Sequence, residues 1–170
     1  MDFSVRYIDL INRLHIKWRR VMLIRKAKIS DLNEVISLLN DDSLGSDRES
    51  DSKKDKQKYI SAFSELLRSN YFDIFVMEQK GEVIGFYQIM YLPHISFKGA
   101  SRAQIESVRI RSDIRGQGLG TELIRHSIER GRKRGCAVFQ LTSNKQRIKA
   151  KKFYDKLGLI ASHEGYKFYY

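Results

Sequence analysis

The sequence predicts a mixed α/β domain built on one central sheet, and three observations carry that expectation. Across residues 108–121 the hydrophobic period changes: Ile105, Val108 and Ile110 are β-branched residues in an extended-looking run, whereas Leu119, Leu123, Ile124 and Ile128 recur at helical intervals. Strand-like and helix-like segments alternate along the chain, which fits helices packed on a sheet. The 170 residues, 42% of them hydrophobic, are enough for one full core and too few for two.

Taken in order, residues 1–21 mix apolar side chains (Ile8, Leu10, Ile11, Leu14, Ile16, Trp18) with basic ones, a pattern compatible with a short amphipathic helix outside the main domain, residues 22–170. Packing on the domain, self-association and contact with an anionic membrane are all open to it. Residues 22–28 read as a strand. Ser30 or Asp31 can cap a helix over 32–40 that buries Val35, Ile36, Leu38 and Leu39. Residues 41–56 are polar and almost free of large apolar groups, the composition of a loop. A second helix is expected over 57–69, then strands 74–79 and 82–91 joined by Lys80-Gly81 as a hairpin turn. Pro93 ends the second of these. Residues 103–110 form the strand that leads into the glycines, and 119–134 the helix that leaves them, stopped by Gly135. A buried strand over 137–142, a basic helix over 146–157 capped by Gly158, and two last strands at 160–162 and 166–170 complete the expected order.

The glycines themselves suggest chemistry. Gly116, Gly118 and Gly120 lack Cβ atoms, so the backbone there can turn tightly and approach a ligand, with unpaired N–H groups at the mouth of the following helix. Such a mouth favours an anion, and a diphosphate fits it; Arg115 adds a cation. The spacing Gly-x-Gly-x-Gly is neither the Rossmann fingerprint nor a P-loop. A glycine-rich turn with no ligand is the plain alternative.

The run Arg115-Gly116-Gln117-Gly118-Leu119-Gly120 resembles the Arg/Gln-x-x-Gly-x-Gly/Ala signature of the GNAT superfamily of acyl-CoA N-acyltransferases. Ile24-Arg25-Lys26-Ala27 with Ser30-Asp31-Leu32 resembles the family's first strand and helix start, and residues 153–159 resemble its closing helix and turn. The resemblance implies a splayed, mostly antiparallel sheet flanked by helices, and an N-acetyltransferase that passes the acetyl group of acetyl-CoA directly to a primary amine in a ternary complex. It implies that Val108, Arg109 and Ile110 hold the pantetheine arm through their main chain, and that Arg115, Gly116, Gln117, Gly118, Leu119, Gly120 and Thr121 hold the diphosphate. Tyr154 falls on the family's tyrosine near the thioester sulfur, a general acid for the thiolate; a core aromatic beside Phe153 is the alternative. A phenol is protonated at neutral pH, as that role requires. Glu106 stands where relatives often place a glutamate that takes the amine's proton, against the reading of an exposed, merely solvated carboxylate. His94 and His163 are expected to be hydrogen-bonded structural residues.

One departure stands out. Where the family often has an asparagine bonding the pantetheine, three residues before the position of Ala150, this chain has Arg147; Asn144, three residues earlier, is the substitute. Lys149, Lys151 and Lys152 either reach the cofactor's ribose phosphate or form a solvated helix face.

The net charge is +12, with 32 lysines and arginines against 20 acidic residues. That charge suits a cofactor with several phosphates, and it keeps a second class open: a non-catalytic acyl-CoA-binding regulator, or a basic nucleic-acid-binding module, on the same fold. The main reading expects acetyl-CoA and an amine as partners, no metal, no nucleic acid and no membrane, with a homodimer as the family's habit. The single Cys136 can form no internal disulfide and reads as a buried strand residue; with no secretory signal ahead of the domain, a cytoplasmic location is expected. The acceptor amine and the selectivity of residues 41–56 are not readable at this level.

Overall fold

The computed structural model describes residues 22–42, 48–50 and 52–170. The expected N-terminal helix over 1–21, and much of the polar loop, lie outside those residues.

Alternation of apolar and polar side chains builds the sheet. Strands β1 (Met22–Lys26), β2 (Phe72–Gln79), β3 (Glu82–Leu92), β4 (Arg102–Ile110) and β5 (Val138–Leu141) lie side by side in chain order, antiparallel except for the parallel β4–β5 pair. Lys80 and Gly81 both take positive φ (52° and 84°), as a two-residue β2–β3 hairpin of type I′ requires. Among the described residues four α-helices complete the domain: α1 (Leu32–Asn40), α2 (Lys53–Arg68), α3 (Leu119–Lys133) and α4 (Ile148–Lys156).

On β2 the period of two sends Ile74 and Val76 to one face of the sheet and Phe75 and Met77 to the other, all four buried. On the first face they meet Val35, Ile36 and Leu38 of α1 and Phe63 of α2. On the second they meet Leu119, Leu123 and Ile124 of α3, with Phe153 and Tyr154 of α4 at the margin. Two cores therefore sandwich one sheet, the mixed α/β arrangement that the residue pattern predicts. Asp31 locks the turn before α1: it receives both outer nitrogens of Arg25 (2.7 and 2.9 Å) and the Lys28 N–H (2.7 Å).

Several expectations need correction. Helix α2 starts at Lys53, four residues before the expected start, because Ser52 caps it: its hydroxyl accepts the Asp55 N–H at 3.2 Å. The strands expected at 160–162 and 166–170 do not form. Residues 159–170 are irregular, and Ile160, Tyr166, Phe168, Tyr169 and Tyr170 stand exposed. A strand needs a ladder partner, and the tail's N–H groups turn locally instead, Leu159 to Tyr154 O and Ser162 to Ile160 O. Strand β5 is also half-buried, and Cys136 sits just before it rather than in it. Among the described residues no helix is long and apolar enough to cross a membrane.

Candidate active site

The site begins with an irregularity in β4. Glu106 pairs with Gln88 of β3 and Arg109 with Phe86, so Ser107 and Val108 together face the single residue Tyr87. Ser107 takes φ = 54°, a left-handed value uncommon outside glycine, and the strand bulges there. Pairing with β5 stops just before this point, at Ile105–Leu141. Beyond it β4 runs five more residues with β3 on one side and no strand on the other. The Arg111 N–H donates to Ile84 O (2.9 Å), so alternate main-chain groups, at Val108 and Ile110, face the open side. Arg109, paired to Phe86, turns its main chain to β3 and its side chain to the site.

The glycine turn follows. Gly116 and Gly118 have φ of 82° and 85°, and a Cβ added to either would meet nothing within 4 Å: the turn needs their conformational freedom and leaves open space above it. Glu122 donates to Gly118 O at 3.2 Å. The N–H groups of Leu119, Gly120 and Thr121 fall in the first turn of α3, where no carbonyl within the helix lies behind them. Gly120 faces Phe153 of α4, whose ring would be 3.5 Å from an added Cβ, so the helices close on one another here. Arg115 does not aim at this opening. Its Nε donates to Ile110 O (2.8 Å) and its Nη2 to Asp41 O (2.6 Å), bracing the turn against the end of α1, while Gln117 is exposed.

Tyr154 stands on α4 against the second core, its ring 5.2 Å from that of Phe153. Burial pushes its phenol above the ordinary value, against the pull of Arg109 and Arg147, with Glu106 adding to the rise. Those three charges therefore all lie within electrostatic reach of one hydroxyl. Among the described residues that hydroxyl makes no hydrogen bond. Glu106 is held from the other direction: Arg102 Nη1 donates to Gln140 Oε1 (3.2 Å), Gln140 Nε2 to Gln104 Oε1 (2.8 Å), and Gln104 Nε2 to Glu106 Oε1 (2.8 Å). Glu106 is thus anchored and half-buried, not a free surface carboxylate.

Sequence reasoning missed Asp42. It is buried, and its Oδ2 receives Nη2 of Arg109 (2.9 Å) and Nη2 of Arg147 (2.5 Å). This explains the departure at Arg147, which reaches back 105 residues to the end of α1. Asn144 uses its Oδ1 to accept the Gln146 N–H (2.9 Å), fixing the turn into α4. Lys149, Lys151, Lys152 and His163 are exposed, while His94 is half-buried and also meets Arg102; each histidine is hydrogen-bonded to a serine two or fewer residues away.

Known proteins share this fold. The family model described as acetyltransferase (GNAT) family matches residues 32–159, three quarters of the chain and the whole of the site. The chain belongs to the GNAT family. Among solved structures, a transcriptional regulator from Bacillus halodurans is 40% identical, with a TM-score of 0.84 over 88% of this chain and 99% of that one. An uncharacterized N-acetyltransferase of Methanocaldococcus jannaschii is 28% identical over 135 residues, 79% of this chain. An L-methionine sulfoximine/L-methionine sulfone acetyltransferase of Pseudomonas aeruginosa is 30% identical over 117 residues, 68% of this chain. The matched stretch spans 59% of the Methanocaldococcus protein and 66% of the Pseudomonas one. As a GNAT domain, the chain carries the fold of an acyltransferase, and the five-stranded sheet, in which β5 pairs with only the first half of β4, is that fold's frame.

Proposed function

We propose that this GNAT protein transfers the acetyl group of acetyl-CoA to a primary amine by direct attack in a ternary complex. The observation that carries the reading is the second half of β4: an edge with no strand beside it, followed after the short turn at Ser112–Ile114 by two positive-φ glycines with open space above them. A pantetheine arm would lie along the edge at Val108 and Ile110, whose carbonyls Arg109 Nη1 and Arg115 Nε hold in its absence, and the first turn of α3 suits a diphosphate, because donors and helix dipole both favour negative charge there. Gly116, Gly118 and the main chain from 115 to 121 form that cradle. Arg115 shapes it from behind, and the Asn144 amide and the lysines of α4 flank it.

Orientation does most of the work in such a transfer. The amine nitrogen attacks the thioester carbonyl, the C–N bond forms and the C–S bond breaks. Glu106 takes the proton released by nitrogen, directly or through water, and Tyr154 gives its proton to the departing sulfur. Burial favours the neutral phenol, so Tyr154 holds that proton at physiological pH.

Release of thiol from acetyl-CoA in the presence of a panel of amines tests the reaction. Tyr154→Phe and Glu106→Gln should each lower turnover by about a hundredfold, the worth of a positioned acid or base; unchanged turnover in both would remove these two residues from the mechanism. Gly118→Glu should abolish acetyl-CoA binding in a calorimeter. It strains a backbone at φ = 85° and sets a carboxylate before the amides.

A second reading has its own support. The Bacillus halodurans relative is named a transcriptional regulator, and the net charge of +12 suits a polyanion. On that reading the chain binds the coenzyme, releases no thiol with any amine, and retards DNA on a gel at physiological salt.

A further inference from the structure

The hydrogen bonds that hold Glu106 have a direction. Arg102, Gln104 and Glu106 alternate along β4 with Ala103 and Ile105, which are buried in the second core, so the three share the opposite face of the sheet. On β5, Gln140 lies beside Gln104 in the parallel register. Arg102 Nη1 donates to Gln140 Oε1, Gln140 Nε2 to Gln104 Oε1, and Gln104 Nε2 to Glu106 Oε1. Arg102 is itself fixed at the far end, where Nη2 donates to Nε2 of His94.

Both ends of this relay impose the same polarity. A guanidinium has donors only, and an ionised carboxylate has acceptors only. A glutamine amide has both, and nothing in the amide by itself decides which way it turns. Facing Arg102, Gln140 must present its oxygen; its nitrogen is then left for the oxygen of Gln104, whose own nitrogen is left for Glu106. Arg102 and Glu106 stand four residues apart on β4, about 13 Å along an extended strand, too far for an ion pair. Arg102 therefore hands Glu106 an orientation and not a direct charge contact. Its Nε is buried with no acceptor among the described residues, so the guanidinium is held there at a cost in stability. The last link reaches Glu106 just before the bulge at Ser107, beyond the end of pairing with β5, and uses only Oε1, which leaves Oε2 for a proton.

Resting on the acetyl-transfer reading, we infer that Arg102 is a positioning residue of the reaction: through Gln140 and Gln104 it sets which way both amides point, and so holds Glu106 by one oxygen with the other free to take the amine's proton. Gln140 and Gln104 are the positioning residues through which it acts. None of the three is a catalytic residue, since each works through Glu106.

The decisive variant is Gln140→Glu, which reverses the relay. It is assayed by thiol release from acetyl-CoA with the amine that the parent protein uses best, on the alkaline plateau of the kcat profile, where Glu106 is ionised in parent and variant alike. The new carboxylate pairs with Arg102, so the melting temperature should hold or rise. Gln104 then has one amide nitrogen for two carboxylates, and kcat should fall about thirtyfold, the worth of a hydrogen bond to a charged group, with KM for acetyl-CoA unchanged. Two further variants each remove a link. Arg102→Met and Gln140→Met should lower kcat about fivefold apiece and the double variant no further, because links of one relay fail together. Arg102→Lys, which still only donates, should recover most of the loss. Turnover of Gln140→Glu at the parent's rate, losses that multiply in the double variant, or a kcat that falls only in step with the melting temperature would each overturn the positioning role and leave acetyl transfer standing. If the parent releases no thiol with any amine while still binding acetyl-CoA, both readings fall together.

Discussion

The two halves of β4 make the most instructive comparison in the molecule. Residues Arg102 to Ile105 are flanked by β3 and β5, and Ala103 and Ile105 are almost wholly buried. Residues 106–110 keep β3 and lose β5. One half has its main-chain groups matched on both sides, and it serves as scaffold. The other has an edge to offer, and the coenzyme site proposed above and Glu106 both lie along it. A buried strand edge must find partners for its N–H and C=O groups. Along the open half the carbonyls of Val108 and Ile110 are met by side chains instead, Arg109 Nη1 at 3.0 Å and Arg115 Nε at 2.8 Å.

Removing the bulge should break that contrast most severely. Deletion of Ser107 lets β4 run regularly: Arg109 and Ile110 keep their partners Phe86 and Gly85, but the left-handed residue at φ = 54° and the bend it gives the open edge are lost. Acetyl-CoA binding and acetyl transfer should both fall below detection, with the sheet signal in circular dichroism retained. Ser107→Gly, which accepts φ = 54° without strain, should keep both activities. If the deletion variant still binds acetyl-CoA as tightly as the parent, the open edge is not what holds the coenzyme.

Smaller probes act on the two halves separately. Gly85 lies opposite Ile110, and an added Cβ would come 2.8 Å from Arg109 O and 2.6 Å from Ile110 Cδ1. Because the first is backbone, Gly85→Ala must move the open half of β4. It should cost about 2 kcal/mol of stability and weaken acetyl-CoA binding about tenfold, as a displaced main chain no longer meets the arm. Gly131 of α3 is the counterpart under the paired half, where a new Cβ would stand 2.9 Å from Ala103 Cβ. Overpacking there costs about 1–3 kcal/mol, offset by about 1 kcal/mol of helix propensity gained. Gly131→Ala should therefore lower thermal stability slightly and leave acetyl-CoA affinity unchanged. Equal effects of the two variants on affinity would erase the distinction between the halves.

These two halves also differ in how legible they are. The glycine turn, the period change across it and the Lys80-Gly81 hairpin are local signals, and each marks the feature it resembles. Ser107 carries no such mark, since neither glycine nor proline flags the bulge; its register appears only when β3 is laid alongside. Asp42 lies 67 residues from Arg109 and 105 from Arg147, so nothing within a short window announces the cluster. Arg147 was visible only as a departure from the family pattern. Gln104 and Gln140, which anchor Glu106, look like ordinary strand polar residues until β4 and β5 align them. The tail misleads in the opposite direction. Tyr166, Phe168 and Tyr170 alternate as a strand should, but alternation is local and a ladder is not. The start of α2 was readable: Ser52, three residues before Asp55, is a helix cap.

The smallest effect should come from the brace beneath the bulge. Tyr87, the β3 residue facing Ser107 and Val108, is fully buried, and its hydroxyl lies 2.7 Å from Nδ1 of His126 on α3. Phase of protonation matters here, because the histidine ring also packs edge-on against Phe75, 4.9 Å between centroids. Burial lowers the affinity of His126 for a proton, and Arg130 and Lys133 lower it further, so its folded value lies below 6.5. On acidification the unfolded chain therefore takes up this proton first, and stability that is complete above pH 6.5 is lost as the pH falls towards the folded value. The melting temperature should decline between pH 7 and pH 5.5. His126→Gln, which still offers Tyr87 a hydrogen-bond partner, should flatten that decline without a large change at pH 7.5. A slope that survives in the glutamine variant would place the titrating group elsewhere.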